Sequence, residues 1–172
     1  MYTAASLRDL HERAHRSFGA MMEHCRTLTP AELDRELPGF GYATVRLQLH
    51  HAIGAQEYWF GVLVGVVDPD DEPDAYPDVA SLEAWRQRVF AATDSYLGRV
   101  SERDLNTAKT HATWGGRQRT FAPAHVVLLS SVAAHLPEGT GPILTVRHAE
   151  SVLGPLVANF TALRPCYFLE NW

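Results

Sequence analysis

Cysteine is scarce in this chain of 172 residues: only Cys25 and Cys166 occur, with no CxxC and no paired spacing. That argues against a disulfide framework and a thiolate zinc site, and it fits two reduced thiols in a cytoplasmic protein. Basic charge is thin as well, with fifteen Lys and Arg against twenty Asp and Glu and a formal net charge of -5. The arginines are scattered, which speaks against nucleic acid as the main partner, because phosphate binding relies on clustered cations. Long hydrophobic runs are missing too. The longest, "YWFGVLVGVV" from Tyr58 to Val67, is too short to span a bilayer, so no membrane association is expected. "MYTAASLRDLHERAHRSF" has no apolar signal-like stretch, and its Asp9 and Glu12 speak against a transit peptide. No internal repeat or low-complexity tract is visible.

What the chain does have is 46% hydrophobic and 20% charged residues, enough for one domain over residues 1–172 with one core. From Thr3 to about Leu28, Leu7, Leu10, Ala14, Phe18, Met21 and Met22 recur at helical spacing. "TPAELDREL" restarts a short helix, with Thr29 as N-cap, Pro30 in the first turn and Glu32 completing a capping box. Thr44 to Val67 is the strongest helix, closed by the proline-rich acidic segment "DPDDEPDAYPD", which is expected to be a crossover loop. A further helix runs from about Ser81 to Val100, with Leu82, Trp85, Val89, Ala92, Tyr96 and Val100 on one stripe and Arg86, Arg88 and Asp94 on its polar face. "TWGGRQRTF" reads as a small hairpin or an extended loop. Pro123 opens the last long helix, "PAHVVLLSSVAAHL", and another helical piece is expected near Ile143. The expectation is an all-α four-helix bundle with one long crossover connection.

On the helix from Thr44 to Val67, Leu49, Ala52, Ile53, Gln56, Phe60, Leu63 and Val67 form a core stripe. Leu47, His51, Tyr58 and Val62 make a second apolar seam, on which His51 is expected to be buried. Such a histidine is more often a hydrogen-bonded core residue than a metal ligand. His50 shares the remaining strip with Gly54, Glu57 and Gly61 and reads as a solvated imidazole. The glycines there would admit a neighbouring helix or a second subunit, so a homodimer is expected. Cys25 lies among Met21, Met22 and Leu28 like a packed thiol, Ser130 and Ser131 sit mid-helix rather than on a nucleophile elbow, and Arg117 and Arg119 read as a solvated loop face.

"LTPAELDRELPGFGYATVRLQLHHAIGAQEYWFGVL" together with "FAPAHVVLLSSVAAH" resembles the DinB/YfiT-like family of four-helix-bundle proteins. Leu49, His51 and Trp59 match its Leu-x-His and Trp, with Gln56 where an acidic residue is usual, and His135 takes the first place of a His-x-x-x-His pair. The resemblance implies a divalent metal, zinc or nickel, held by one histidine of the second helix and two of the fourth. It also implies hydrolysis of, or thiol-dependent transfer to, a small-molecule substrate, with Gln56 and Tyr58 as groups that could orient it. His51 and His135 carry over. The third position is Gly139, which has no side chain to offer, and Pro137 interrupts the helix before it. Two outcomes follow. Either Glu138 completes a His51, His135, Glu138 site, or the metal is absent and the bundle serves as a non-catalytic scaffold or binding module.

Overall fold

The computed structural model describes residues 1–38, 42–67 and 72–133. His135, Glu138, Gly139, Cys166, Trp172 and the helix expected near Ile143 lie outside them. Each helix starts where local chemistry directs it. Helix α1, Ala4–Cys25, opens on a capping box in which Thr3 and Ser6 exchange hydrogen bonds. The short α2, Pro30–Leu33, starts on the anticipated Thr29–Glu32 box, and its hydrogen bonds from Thr29 hold the Glu32 carboxyl below its ordinary pKa. Helix α3, Val45–Val64, is capped by the Thr44 hydroxyl, which accepts from the Leu47 amide at 3.1 Å. Helix α4, Val79–Leu97, begins two residues before the sequence suggested, because Asp78 and Ser81 form a capping box of their own.

Beyond α4 lie a one-turn helix α5, Glu102–Asn106, and two antiparallel strands, β1 (Lys109–Ala112) and β2 (Gln118–Phe121). They are joined through Trp114–Gly116, where both glycines have positive φ. This is the hairpin alternative of the "TWGGRQRTF" reading. Helix α6, Pro123–Ala133, completes the described bundle.

The helix directions follow from paired side chains. Arg8 meets Asp94 and His15 meets Arg86, so α1 and α4 are antiparallel. Trp85 bonds Glu57 while Tyr96 packs on Phe60, so α3 and α4 run parallel. Gln56 reaches Ser130 while Trp59 packs on Phe121, so α6 runs against α3. Helices α1 and α3 each pack on both α4 and α6, and the four form a closed ring.

Parallel neighbours need a return connection the length of a helix. The twenty residues of α3 rise about 30 Å, a distance that the segment between Gly65 and Asp78 can cover when extended. Arg46, at the start of α3, donates to the Pro73 carbonyl at 2.9 Å, so the connection has returned to that end before α4 begins. The crossover expected after this helix is therefore present.

The turn out of α3 is set by Gly65, which sits in the left-handed region at φ 80. The Val66 amide then bonds back to the Gly61 carbonyl at 2.9 Å, and a Cβ on Gly61 would lie 2.3 Å from the Val66 carbonyl oxygen. Gly61→Ala is accordingly expected to cost about 1–3 kcal/mol by overpacking. A denaturation midpoint equal to that of the unaltered protein would contradict this.

A buried polar layer and the candidate site

Two apolar clusters fill the bundle. One gathers Phe18, Met22, Leu49, Ile53, Leu82 and Trp85, and the other Leu7, Leu97, Leu105, Ala124 and Val127. Between them along the helices lies a set of buried polar residues. Helix α1 contributes His11 and His15 between Leu7 and Phe18, and α4 contributes Thr93 between Val89 and Leu97. Helix α3 contributes Gln56 beyond Ile53, and α6 contributes Ser131 beyond Val127. Each of the four long helices thus places a buried polar group on its inward stripe among the described residues, a costly arrangement unless those groups find partners.

Gln56 is only 5% exposed. Its amide nitrogen donates to the Ser130 carbonyl of α6 over a long 3.4 Å, and its buried Oε1 has no hydrogen-bond partner among the described residues. A buried acceptor without a donor carries a desolvation penalty of about 1–3 kcal/mol, which a donor from a bound molecule would remove. The sequence assigned Gln56 to the core stripe, and the structure agrees.

His51 projects from the first half of α3 and is half-buried rather than buried. Its ring lies flat on Tyr42, with centroids 4.0 Å apart and planes 21° from parallel. Tyr42 is itself anchored, since its carbonyl accepts from Gln48 at 3.1 Å and the next residue, Ala43, accepts from the Leu37 amide at 2.7 Å. The residues entering α3 thereby set an aromatic face against the His51 ring. Tyr42 was not singled out in the sequence, because the contact depends on a loop conformation that periodicity does not report.

His50 departs from expectation. It is buried between Tyr76 and Trp85, with ring centroids 5.6 and 5.0 Å away, because the strip it shares with Gly54 and Glu57 faces α4. Gly54 receives the Trp85 ring, whose nearest carbon would be 3.2 Å from an added Cβ, and Gly61 receives the chain leaving α3. The glycines that suggested a second subunit are used within the protomer. Arg86 also departs from the polar face predicted for α4: it is buried on α1, because Glu83 and His15 supply partners for its guanidinium. The Tyr58 hydroxyl accepts the Trp114 amide at 2.8 Å, tying α3 to the hairpin. Cys25 is buried, and burial pushes its thiol pKa up, which leaves a packed thiol and no nucleophile.

Among the described residues no three His, Cys, Asp or Glu side chains converge on one point, and His51 is the one member of the expected ligand set that falls within them. No helix of the described residues is long and apolar enough to cross a membrane.

The family model of the DinB superfamily matches residues 13–137, a span that takes in most of α1 and all of α3, α4 and α6. The chain belongs to the DinB superfamily. No curated protein matches it. Within this DinB-superfamily chain the matched span includes His51 and His135 and stops one residue short of Glu138, the substitute donor.

Proposed function

We propose that this DinB-superfamily protein binds a polar small molecule between α3 and α6, and that it acts there as a metal-dependent hydrolase or thiol-dependent transferase. The observation that carries the reading is the Gln56 Oε1 atom, a buried acceptor without a donor among the described residues, on the α3 face that packs against α6. The residues that would hold zinc or nickel are His51, His135 and Glu138, a donor set of two imidazoles and a carboxylate that zinc accepts in hydrolases. Of these, His51 lies within the described residues, its ring stacked on Tyr42. The chemistry that such an ion supplies is a water made acidic enough to attack at neutral pH. The chain's own contribution is to accept a hydrogen bond from the substrate at Gln56 and to set an aromatic face, Tyr42, against the His51 ring.

A second reading, a scaffold or binding module without catalysis, is favoured by Gly139, which stands where the third histidine of the resemblance would be. Metal content and melting separate the two. The purified full chain is expected to copurify with metal. At a free zinc or nickel concentration about a hundredfold above Kd, its melting temperature should rise by roughly 5–10 °C. His51→Ala and His135→Ala should each abolish that rise and leave the metal-free melting temperature close to its original value. Identical melting with and without metal, and no copurifying ion, would leave the scaffold reading standing.

A further inference from the structure

His11 and His15 stand one turn apart on α1 and are each 3% exposed, inside the seam with α4. His11 lies parallel to the Phe90 ring, with centroids 5.0 Å apart and planes 8° from parallel, and its Nε2 donates to the Phe90 carbonyl at 3.3 Å. A carbonyl can only accept, so the neutral ring carries its proton on Nε2. For His15 the constraint is opposite. The guanidinium of Arg86 donates to its Nδ1 at 3.0 Å and to its own carbonyl at 3.1 Å. Arginine has no acceptor, so Nδ1 of His15 must be the unprotonated nitrogen. The two imidazole centroids are 4.4 Å apart, so a charge on either ring is felt by the other.

We infer that the α1–α4 seam is a pH-sensitive latch, closed while His11 and His15 are neutral and loosened when the pair takes up a proton. A proton on Nδ1 of His15 would set an N–H against the Arg86 N–H and a second cation beside the first. A proton on His11 would place a charge in an almost fully buried ring next to His15. The charged groups around the pair offset this only in part. On α1, Glu12 is exposed and Arg8 is already paired with Asp94. On α4, Asp94 is held by Arg8, and Glu83 is held by both guanidinium branches of Arg86 at 2.7 Å and by Gln87 at 2.9 Å. On α6, the titratable side chain among the described residues is His125, which is exposed and edge-on to Tyr2.

Burial therefore moves the His11 pKa below its ordinary 6.5, against the smaller opposing pulls of the Phe90 carbonyl, Asp94 and Glu12. A histidine depressed in the folded state binds its proton more readily once unfolded, so stability rises with pH across its titration. The seam's contribution is complete above about pH 6.5 and is lost as pH falls below that value toward the folded pKa.

The test uses the full chain. Histidine side-chain NMR titration is expected to give a His11 pKa below 6.5; a value at or above 6.5 overturns the latch. The melting temperature should fall by about 3–5 °C between pH 7.5 and 5.5, and His11→Gln, which keeps a donor for the Phe90 carbonyl and cannot titrate, should reduce that fall. An unchanged melting temperature over the same range overturns it. Amide exchange corrected for intrinsic rates should rise first in α1 and α4 of the unaltered protein, so the result does not depend on the variant folding. An equal rise in α3 and α6 would show uniform acid weakening in place of a latch.

Discussion

Trp85→Ala is expected to lower the melting temperature by roughly 6–20 °C, from a loss of about 3–5 kcal/mol in a chain of this length. Trp85 is 0% exposed and is the largest fully buried side chain among the described residues. It stacks on Tyr76 with centroids 4.3 Å apart, lies against His50, fills the space left by Gly54, and donates from Nε1 to Glu57 at 2.9 Å. Truncation removes apolar contact and also leaves the half-buried Glu57 carboxylate without that donor. Trp85→Phe should fall between the two, since it keeps an aromatic face for Tyr76 and loses only the indole N–H. Thermal melts of the three proteins at one pH decide the matter. A Trp85→Ala protein within about 2 °C of the original would mean that the core does not depend on this ring.

The second large effect is expected at Arg86. Arg86→Leu should cost about 3 kcal/mol, the lower end of what breaking a buried ion pair costs when one partner stays behind. The side chains of Arg86 and Glu83 are 10% and 13% exposed, so neither is freely solvated. Burial alone would raise the Glu83 pKa, yet the hydrogen bonds from Arg86 and Gln87 and the nearby positive charges hold it below its ordinary value. That depressed carboxylate contributes stability above about pH 4.5 and loses it as pH falls through its folded pKa. The gap between original and variant should therefore be widest near neutral pH and narrow in acid. Arg86→Lys, which keeps the charge but not the two-pronged geometry, should recover part of the loss. Denaturant titrations at pH 7 and pH 4 would measure both points, and an equal gap at the two values would exclude Glu83 as the source.

Much of the architecture was legible because it is written in short-range chemistry. Thr29, Pro30 and Glu32 announce α2 by capping, Gly115 and Gly116 permit the hairpin turn, and Pro123 opens α6. The end of α3 was placed slightly late because Gly65 stops the helix before the apolar Val66 and Val67, which periodicity alone would continue. The start of α4 was placed late because the Asp78–Ser81 box precedes the first large apolar residue.

The polar interior was harder to read. His11 and His15 occupy the same stripe as Leu7, Ala14, Phe18 and Met22, so their spacing already marked them as inward-facing. An apolar count leaves them out because it assigns histidine to the surface. Arg86 escaped for a stronger reason: its burial depends on α1 lying antiparallel to α4, with His15 opposite, and no local pattern carries that pairing. Gln56 is on the face the sequence indicates, but its unmatched oxygen depends on how α6 packs against it, which no local pattern carries. Of the expected metal ligands, His51 is a half-buried ring stacked on Tyr42, whereas His135 and Glu138 lie outside the described residues.

The antiparallel pairing of α1 with α4 also bears on how the chain is made. His15 and Arg86 are 71 residues apart, and His11 and Phe90 are 79. At about 5–20 residues per second, the ribosome releases α1 roughly 4–16 s before its partner on α4 has been synthesised. During that interval the stripe from Leu7 to Cys25 has no finished bundle to enter, although α3 emerges sooner. The nascent helix is then an amphipathic surface open to chaperones or to α1 segments of neighbouring chains on the same message. Its two histidines make that stripe less apolar than a wholly aliphatic one would be, so the groups that meet Phe90 and Arg86 in the finished bundle face water until α4 arrives.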